Sequence, residues 1–302
     1  MNKILKKAKQ AIADRRFYAN QEAHNFKTKA LANPQFKQAY NEYVSLMIDN
    51  ARRGLGENAQ LLAKQKAYED ILKDLSIPYI TPQHFCNKCN DCGMVDGKYC
   101  DCLIEEVNRL LREESGFLSL EEFENANFDL FDNKEYMKDL YSKMKKWCYS
   151  DFKKTLIFIA GQTGVGKTHL MKCMANELIK RHKVVSLTSS FAMHQDFVKS
   201  YSCRDLDEKQ ALLDKYLNAE VLFIDDLGTE LRNPNITVNF LYQVLNERKL
   251  NKRPTIITSN LDLNDITDYY DERIFSRIVD KAYSVCVYIQ GDDLRLKPNK
   301  KV

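Results

Sequence analysis

From residue 155 onward, short apolar runs alternate with stretches in which apolar residues recur every three to four positions. The runs 155–160, 184–188, 221–225, 255–259 and 284–289 are rich in Ile, Val and Leu, as strands covered on both faces are. Between them, 168–181, 190–201, 205–218, 236–250 and 271–280 carry helical spacing. This alternation predicts a parallel sheet with helices on both faces. Upstream, residues 1–75 read as helix, broken at Asn33-Pro34 and Gly54-Leu55-Gly56 into three segments and closed by Pro78 and Pro82. A cysteine-rich stretch at 86–102, a charged helix at 103–115, an acidic Phe-rich connector at 116–133 and a helix at 134–149 complete the pattern. The domain boundary is expected between 103 and 120, giving domains 1–115 and 116–302.

Composition changes this picture little. Hydrophobic content of 44% supports a core, and 29% charged residues suit a solvated surface. The net charge of +4 does not by itself demand nucleic acid. Its basic surplus lies in the first eighty residues, among them Lys3, Lys6, Lys7, Lys9, Arg15, Arg16, Lys27 and Lys29. That surplus fits either a docking surface or an ordinary solvated face. No apolar run reaches the roughly 18 residues that span a bilayer, and the basic N-terminus leads into polar sequence. A cytoplasmic protein is expected, with no membrane partner. The nine cysteines then point to free thiols or a metal site and away from disulfides.

The strand at 155–160 runs directly into Gly161-Gln162-Thr163-Gly164-Val165-Gly166-Lys167-Thr168-His169, and a helix follows. Gly161-x-x-x-x-Gly166-Lys167-Thr168 is the complete phosphate-binding-loop pattern in its required context, which a chance glycine-rich turn would lack. Its amides would face phosphate oxygens, Lys167 would add a cation, and Thr168 would offer a hydroxyl to magnesium. The expected ligands are ATP or ADP with Mg2+. Val221–Ile224 leads into Asp225 and Asp226, placing Asp225 to hold the magnesium and Asp226 to orient water. A capped strand end is the plainer reading of that pair. Asn260, ending the strand at 255–259, reaches the same sheet edge and could touch the γ-phosphate, or serve as a turn cap. Arg273 and Arg277 lie four residues apart on one helix, suited to a γ-phosphate held by a neighbouring subunit or to surface pairs with Asp271, Glu272 or Asp280. Arg295 is a further candidate for a phosphate contact within the same chain.

Taken in order, Gly161–Thr168, Ile224-Asp225-Asp226-Leu227-Gly228, Asn246-Glu247-Arg248, Arg253 through Asn260, and Arg273-x-x-x-Arg277 resemble the AAA+ ATPases. Within these they resemble the bacterial DnaC/DnaI-type replicative helicase loaders over roughly 120–296. The resemblance implies an AAA+ fold without a lid domain, with Lys167 and Thr168 as Walker A and Asp225 and Asp226 as Walker B. Asn260 would be sensor I, Arg273 and Arg277 the arginine-finger segment, and Arg295 sensor II.

Cys86-x-x-Cys89-x-x-Cys92 followed by Cys100-x-Cys102 packs five thiols into seventeen residues. Zinc takes four thiolates in a tetrahedron, and two can come from one C-x-x-C turn. Cys86, Cys89, Cys100 and Cys102 are the expected ligands, a choice in keeping with loader-like proteins, in which the position of Cys92 is not a ligand. His84 could substitute, and an iron–sulfur cluster or plain buried or redox-active thiols are the other readings. Cys148, Cys173, Cys203 and Cys286 are expected in the core.

The function these residues imply is an ATPase that loads a hexameric replicative helicase onto single-stranded DNA during replication initiation or restart. It would associate with itself through the AAA+ domain and use the helical N-terminus to dock on the helicase. A transposition-helper ATPase, or an ATP-gated adaptor with negligible intrinsic hydrolysis, is the alternative. Asp226, shorter than the commoner glutamate, suits slow turnover. The stretch after residue 290 carries no helix-turn-helix pattern, so an initiator that reads duplex DNA is not expected.

Overall fold

The structure, a computed structural model, describes residues 2–115, 119–231 and 233–296. It divides into two compact units, one of residues 9–102 and one of residues 1–8 with 103–302. Of the connector at 116–133, residues 116–118 lie outside the described part.

In the smaller unit, α1 (Asn2–Leu31, from residue 9), α2 (Pro34–Arg52) and α3 (Ala59–Asp74) occupy the stretch expected to be helical. Asn33 caps α2 by accepting the Phe36 amide (3.0 Å), with Pro34 in the first helical position, and Asn58 caps α3 through the Leu61 amide (2.9 Å). α2 and α3 pack through rings: Tyr68 meets Tyr40 and Tyr43 edge-on at 5.5 and 5.1 Å, beside Phe36. The two-residue strands β1 (Met94–Val95) and β2 (Lys98–Tyr99) form a hairpin. Its Asp96-Gly97 turn has both residues at positive φ, the geometry that matches strand twist.

The larger unit is built on a five-stranded parallel sheet of order β4-β5-β6-β3-β7. Its strands are β3 (Leu156–Gly161), β4 (Val185–Ser189), β5 (Val221–Leu227), β6 (Thr255–Ser259) and β7 (Ser284–Ile289). Side chains alternate between two cores, as strand periodicity requires. Ile157, Ile159, Val185, Leu187, Phe223 and Ile256 face α5 (Lys134–Cys148) and α6 (Lys167–Lys180). Phe158, Leu222, Ile224 and Ile257 face the opposite layer of α7 (Ser190–Ser202), α8 (Leu206–Asn218), α9 (Asn239–Leu250), α10 (Leu263–Tyr269) and α11 (Glu272–Ile278). Beside the edge strand β4, Asn108 of α4 (Asp101–Ser115) accepts the Val185 amide (2.9 Å) and donates to Lys183 O (2.7 Å). The edge is thereby covered, as sheet edges need to be.

Several elements depart from the sequence pattern. The region expected as one helix at 236–250 begins with a π-turn, Pro234–Val238, before α9. α10 falls in a stretch expected to be loop, and Asp262 and Asp265 close a capping box at its start. Cys148 and Cys173 are buried as expected, but Cys203 is half-buried and Cys286 exposed. β7 is an edge strand with one partner, β3, so alternate side chains escape the core.

One buried cation ties the sheet to its helices. Arg248 of α9 is 1% exposed. It donates to Thr255 Oγ1 (2.9 Å), Tyr216 O (2.7 Å), Ala219 O (2.9 Å) and Pro254 O (2.6 Å). These neutral oxygens come from the end of α8 and from the leads into β5 and β6, so one guanidinium sets where two strands begin. Burial, aided by the charge of Arg253, pushes its pKa down, while the ring of oxygens keeps the charge solvated. Arg248→Met leaves those carbonyls buried and unpaired, and should cost about 3–5 kcal/mol. Urea denaturation of the variant checks this, and a loss under ~1 kcal/mol contradicts the role.

Candidate functional site: a nucleotide pocket and a four-cysteine cluster

The phosphate loop leaves β3 at Gly161 and enters α6 at Lys167. Gly166 sits at φ +93°, the left-handed turn that aims the following amides inward. Val165 is buried in the core, so it can offer ligands only its backbone, whereas Gln162 and Thr163 are exposed. Lys167, 4% exposed, donates to Gly161 O (2.8 Å), Gln162 O (2.7 Å) and Asn260 Oδ1 (2.7 Å). Burial pulls its pKa down, opposed by Asp226 and Asp225. The ammonium is thus held at the loop on neutral acceptors that an anionic phosphate can replace.

Asp225 is buried, and Thr168 Oγ1 donates to both its oxygens (3.0 and 3.1 Å). Thr258 Oγ1 donates to Asp225 Oδ1 at 2.5 Å and accepts the Asp226 amide at 2.9 Å. Burial raises the Asp225 pKa, aided by the charge of Asp226 and countered by the two hydroxyls. A hard dication would be held here by Thr168 and Asp225, since both present oxygen.

β5 runs through Leu227, two residues past its expected end, and its pairing with β6 slips between Ile224 and Leu227. Asp226 has φ +54°. The extra residue is a β-bulge, which re-aims neighbouring side chains. Asp225 meets the loop, and Asp226 lines a cavity of about 490 Å3 together with Lys167, Thr168, His169, Asn260 and Arg295. His169 Nδ1 pairs with Tyr141 Oη (2.9 Å), and burial holds its pKa down.

The structure places Arg273 and Arg277 elsewhere. Arg273 pairs with Asp271 (2.8 Å) and stacks on Tyr242. Arg277 donates to Asn246 Oδ1 (3.0 Å) and Tyr242 Oη (3.1 Å) and lines a recess with Thr155, Thr255 and Ser284. Those three residues stand where β3, β6 and β7 begin, whereas the phosphate loop stands where β3 ends. Strands of five or six residues separate such edges by about 17–20 Å. Arg277 therefore does not reach the cavity of its own chain.

Two residues of this region went unassigned from sequence. Thr258 is legible only as a polar residue in a buried strand. Glu230, 3% exposed, accepts the Gly228 amide (3.0 Å) and the Tyr270 hydroxyl, bracing the loop after Asp226 against the end of α10.

In the smaller unit, Cys86, Cys89, Cys100 and Cys102 converge, their sulfurs all within 4.8 Å of one another. Cys86 and Cys100 stand 3.7 Å apart, Cys89 and Cys102 3.5 Å. A tetrahedron of thiolates at ~2.3 Å from zinc sets sulfurs roughly 3.8 Å apart, so the donor set fits. Burial pushes the Cys89 thiol up, but the Gly93 amide (3.3 Å) and the neighbouring thiols outweigh it and draw its pKa down. Asp91 accepts the Phe85 and Cys86 amides (2.8 and 2.9 Å) and fixes the first knuckle. Cys92 is exposed and donates to Met94 O, and His84 lies by Asp91 outside the cluster. The described residues contain no helix long and apolar enough to cross a membrane.

The four thiols generate a direct expectation. Purified protein should release about one zinc per chain when its thiols are modified. Cys89→Ser should lose the metal and Cys92→Ser should keep it. Metal loss in Cys92→Ser would overturn this ligand set.

Residues 96–302 match the family described as IstB-like ATP binding protein. The chain is 34% identical over 212 residues to uncharacterized protein YqaM of Bacillus subtilis (strain 168), covering 66% of this chain and 65% of that one. The match thus spans just under two thirds of that relative's length. It is 31% identical over 276 residues to phage-like element PBSX protein XkdC of the same organism, covering 82% and 93%. Over 121 residues it is 29% identical to the replicative helicase loader DnaC of Escherichia coli (strain K12), covering 39% and 48%. With a complete phosphate-loop motif, a carboxylate pair and Asn260 gathered on one edge of a parallel sheet, the chain belongs to the IstB/DnaC-like family of AAA+ ATP-binding proteins.

Proposed function

We propose that this protein is an ATP-driven loader that places a hexameric replicative helicase on single-stranded DNA during replication initiation or restart. The observation that carries the reading is the split of its chemistry between two sheet edges. Lys167, Thr168, Asp225, Asp226 and Asn260 surround one cavity, and Arg277 stands at the far edge. Such a chain binds ATP alone and completes its site by lending Arg277 to a second copy. The likeness to a replicative helicase loader supplies the cargo.

In this reading Thr168 and Asp225 hold Mg2+, Lys167 turns from its carbonyl partners to the phosphates, and Asn260 and Asp226 orient the attacking water. Asp226 enters the cavity on a bulged, left-handed backbone with a short side chain, which suits slow hydrolysis until a partner adjusts it. Residues 1–115 dock on the helicase in the cytoplasm, with the zinc-bound cysteine module as a rigid part of that surface. Single-stranded DNA follows the ATPase domain through cation–phosphate contacts and stacking.

A transposition helper would share the ATP site and would not be expected to carry the four-thiol module. Affinity capture separates the two. Full-length protein should retain the host replicative helicase, and a chain beginning at residue 120 should not. Retention of a transposase in place of the helicase, or helicase capture independent of residues 1–115, contradicts the loader reading.

A further inference from the structure

Gly164, in the middle of the phosphate loop, has φ +82°, and a Cβ there would collide with the carboxylate of Asp293. The segment carrying Asp293 is pinned to the loop. The Leu294 amide donates to Gly164 O (3.0 Å), and the Asp292 amide donates to Asp132 Oδ2 (3.0 Å). Phe131 and Leu294 both lie against Gly166. A carboxylate is therefore fixed beside the phosphate loop. The compensating cation is two residues away. Arg295 donates its amide and its Nε to Asp293 Oδ1 (3.0 and 3.2 Å), and its side chain lines the same cavity as Lys167 and Asn260.

We propose that Asp293 is a positioning residue that parks Arg295 at the rim of the phosphate site and releases it to a γ-phosphate, so that this pair sets the preference between nucleoside triphosphate and diphosphate. The inference rests on the reading of this cavity as the ATP site. Asp293 is half-buried but Arg295 is exposed, and an ion pair with one end in solvent is loosely held. A γ-phosphate carries more charge than one carboxylate and presents oxygens that match the guanidinium fork, so it competes for Arg295. A diphosphate ends short of that position and leaves Arg295 on Asp293. Taking Arg295 therefore costs a triphosphate the Asp293 ion pair, a cost that a diphosphate does not meet. Asp293 thereby lowers the affinity for triphosphate more than that for diphosphate, and holds the empty site in a state that only the triphosphate changes.

The test is equilibrium binding of the magnesium complexes of AMPPCP and of ADP to the full-length protein and to Asp293→Asn, Arg295→Ala and the double variant. Asparagine keeps an oxygen for the Arg295 amide and removes the charge, so the turn persists. Asp293→Ser provides the same comparison should the first variant fold poorly by thermal unfolding. Asp293→Asn should bind AMPPCP about fivefold more tightly, ADP less than about twofold, and Arg295→Ala should abolish the AMPPCP gain. Equal gains for both nucleotides, a gain that survives Arg295→Ala, or no gain would each overturn the proposal. Lys167→Ala in the same series reports on the underlying reading. If that variant binds both nucleotides as tightly as the unsubstituted protein, the ATP site itself is misassigned, whatever Asp293→Asn does.

Discussion

The nucleotide site depends on one buried carboxylate that accepts hydroxyl hydrogen bonds from two different elements. Asp225, at the bulged end of β5, receives Thr168 from the first turn of α6 and Thr258 from β6. A carboxylate taken out of water needs such partners, because desolvation otherwise favours its neutral form. The two threonines supply them, and the requirement locks three elements at one point. Asp226 then projects into the cavity, and Asn260, two residues beyond Thr258, meets Lys167. The geometry of the phosphate loop is therefore inseparable from the register of β5 on β6.

At the opposite edge a cation plays the matching structural part. Arg248 gathers carbonyls from the end of α8 and the leads into β5 and β6, so the strands that deliver Asp225 and Asn260 are fixed at both ends. α11 lies near that far edge and carries Arg277, held by Asn246 and Tyr242. The protein's own packing thus places its most suitable phosphate-binding fork a full strand length from its own phosphate loop. Under the proposed reading, self-association is what brings the two halves of the chemistry together.

Much of this was legible in the sequence because its physical signals are local. Buried parallel strands read as short apolar runs, and 255–259 and 284–289 match the observed strands end to end. The phosphate loop has a fixed spacing, and the four converging thiols are the four selected from five. What was not legible depends on tertiary partners. The bulge at Asp225-Asp226 arises from pairing with β6. α10 spans only seven residues, so Leu263, Ile266 and Tyr269, though spaced by three and set against the core, are too short a run to register as a helix. The exposure of Cys286 follows from β7 being an edge. Asp293 belongs to no motif and meets Gly164 only through the fold, and Thr258 and Glu230 reveal their tasks only through the groups they reach.

Under the proposed reading one chain holds the nucleotide and another supplies the arginine, so two disabled variants should complement each other when mixed. Lys167→Ala lacks a working phosphate loop but retains Arg277, and Arg277→Ala is the reverse. Each alone should fail to hydrolyse ATP, with Arg277→Ala still binding it. An equimolar mixture should regain hydrolysis, because some sites then pair an intact Lys167 with an intact Arg277. A mixture as inactive as its components, or full hydrolysis by Arg277→Ala alone, would contradict the account.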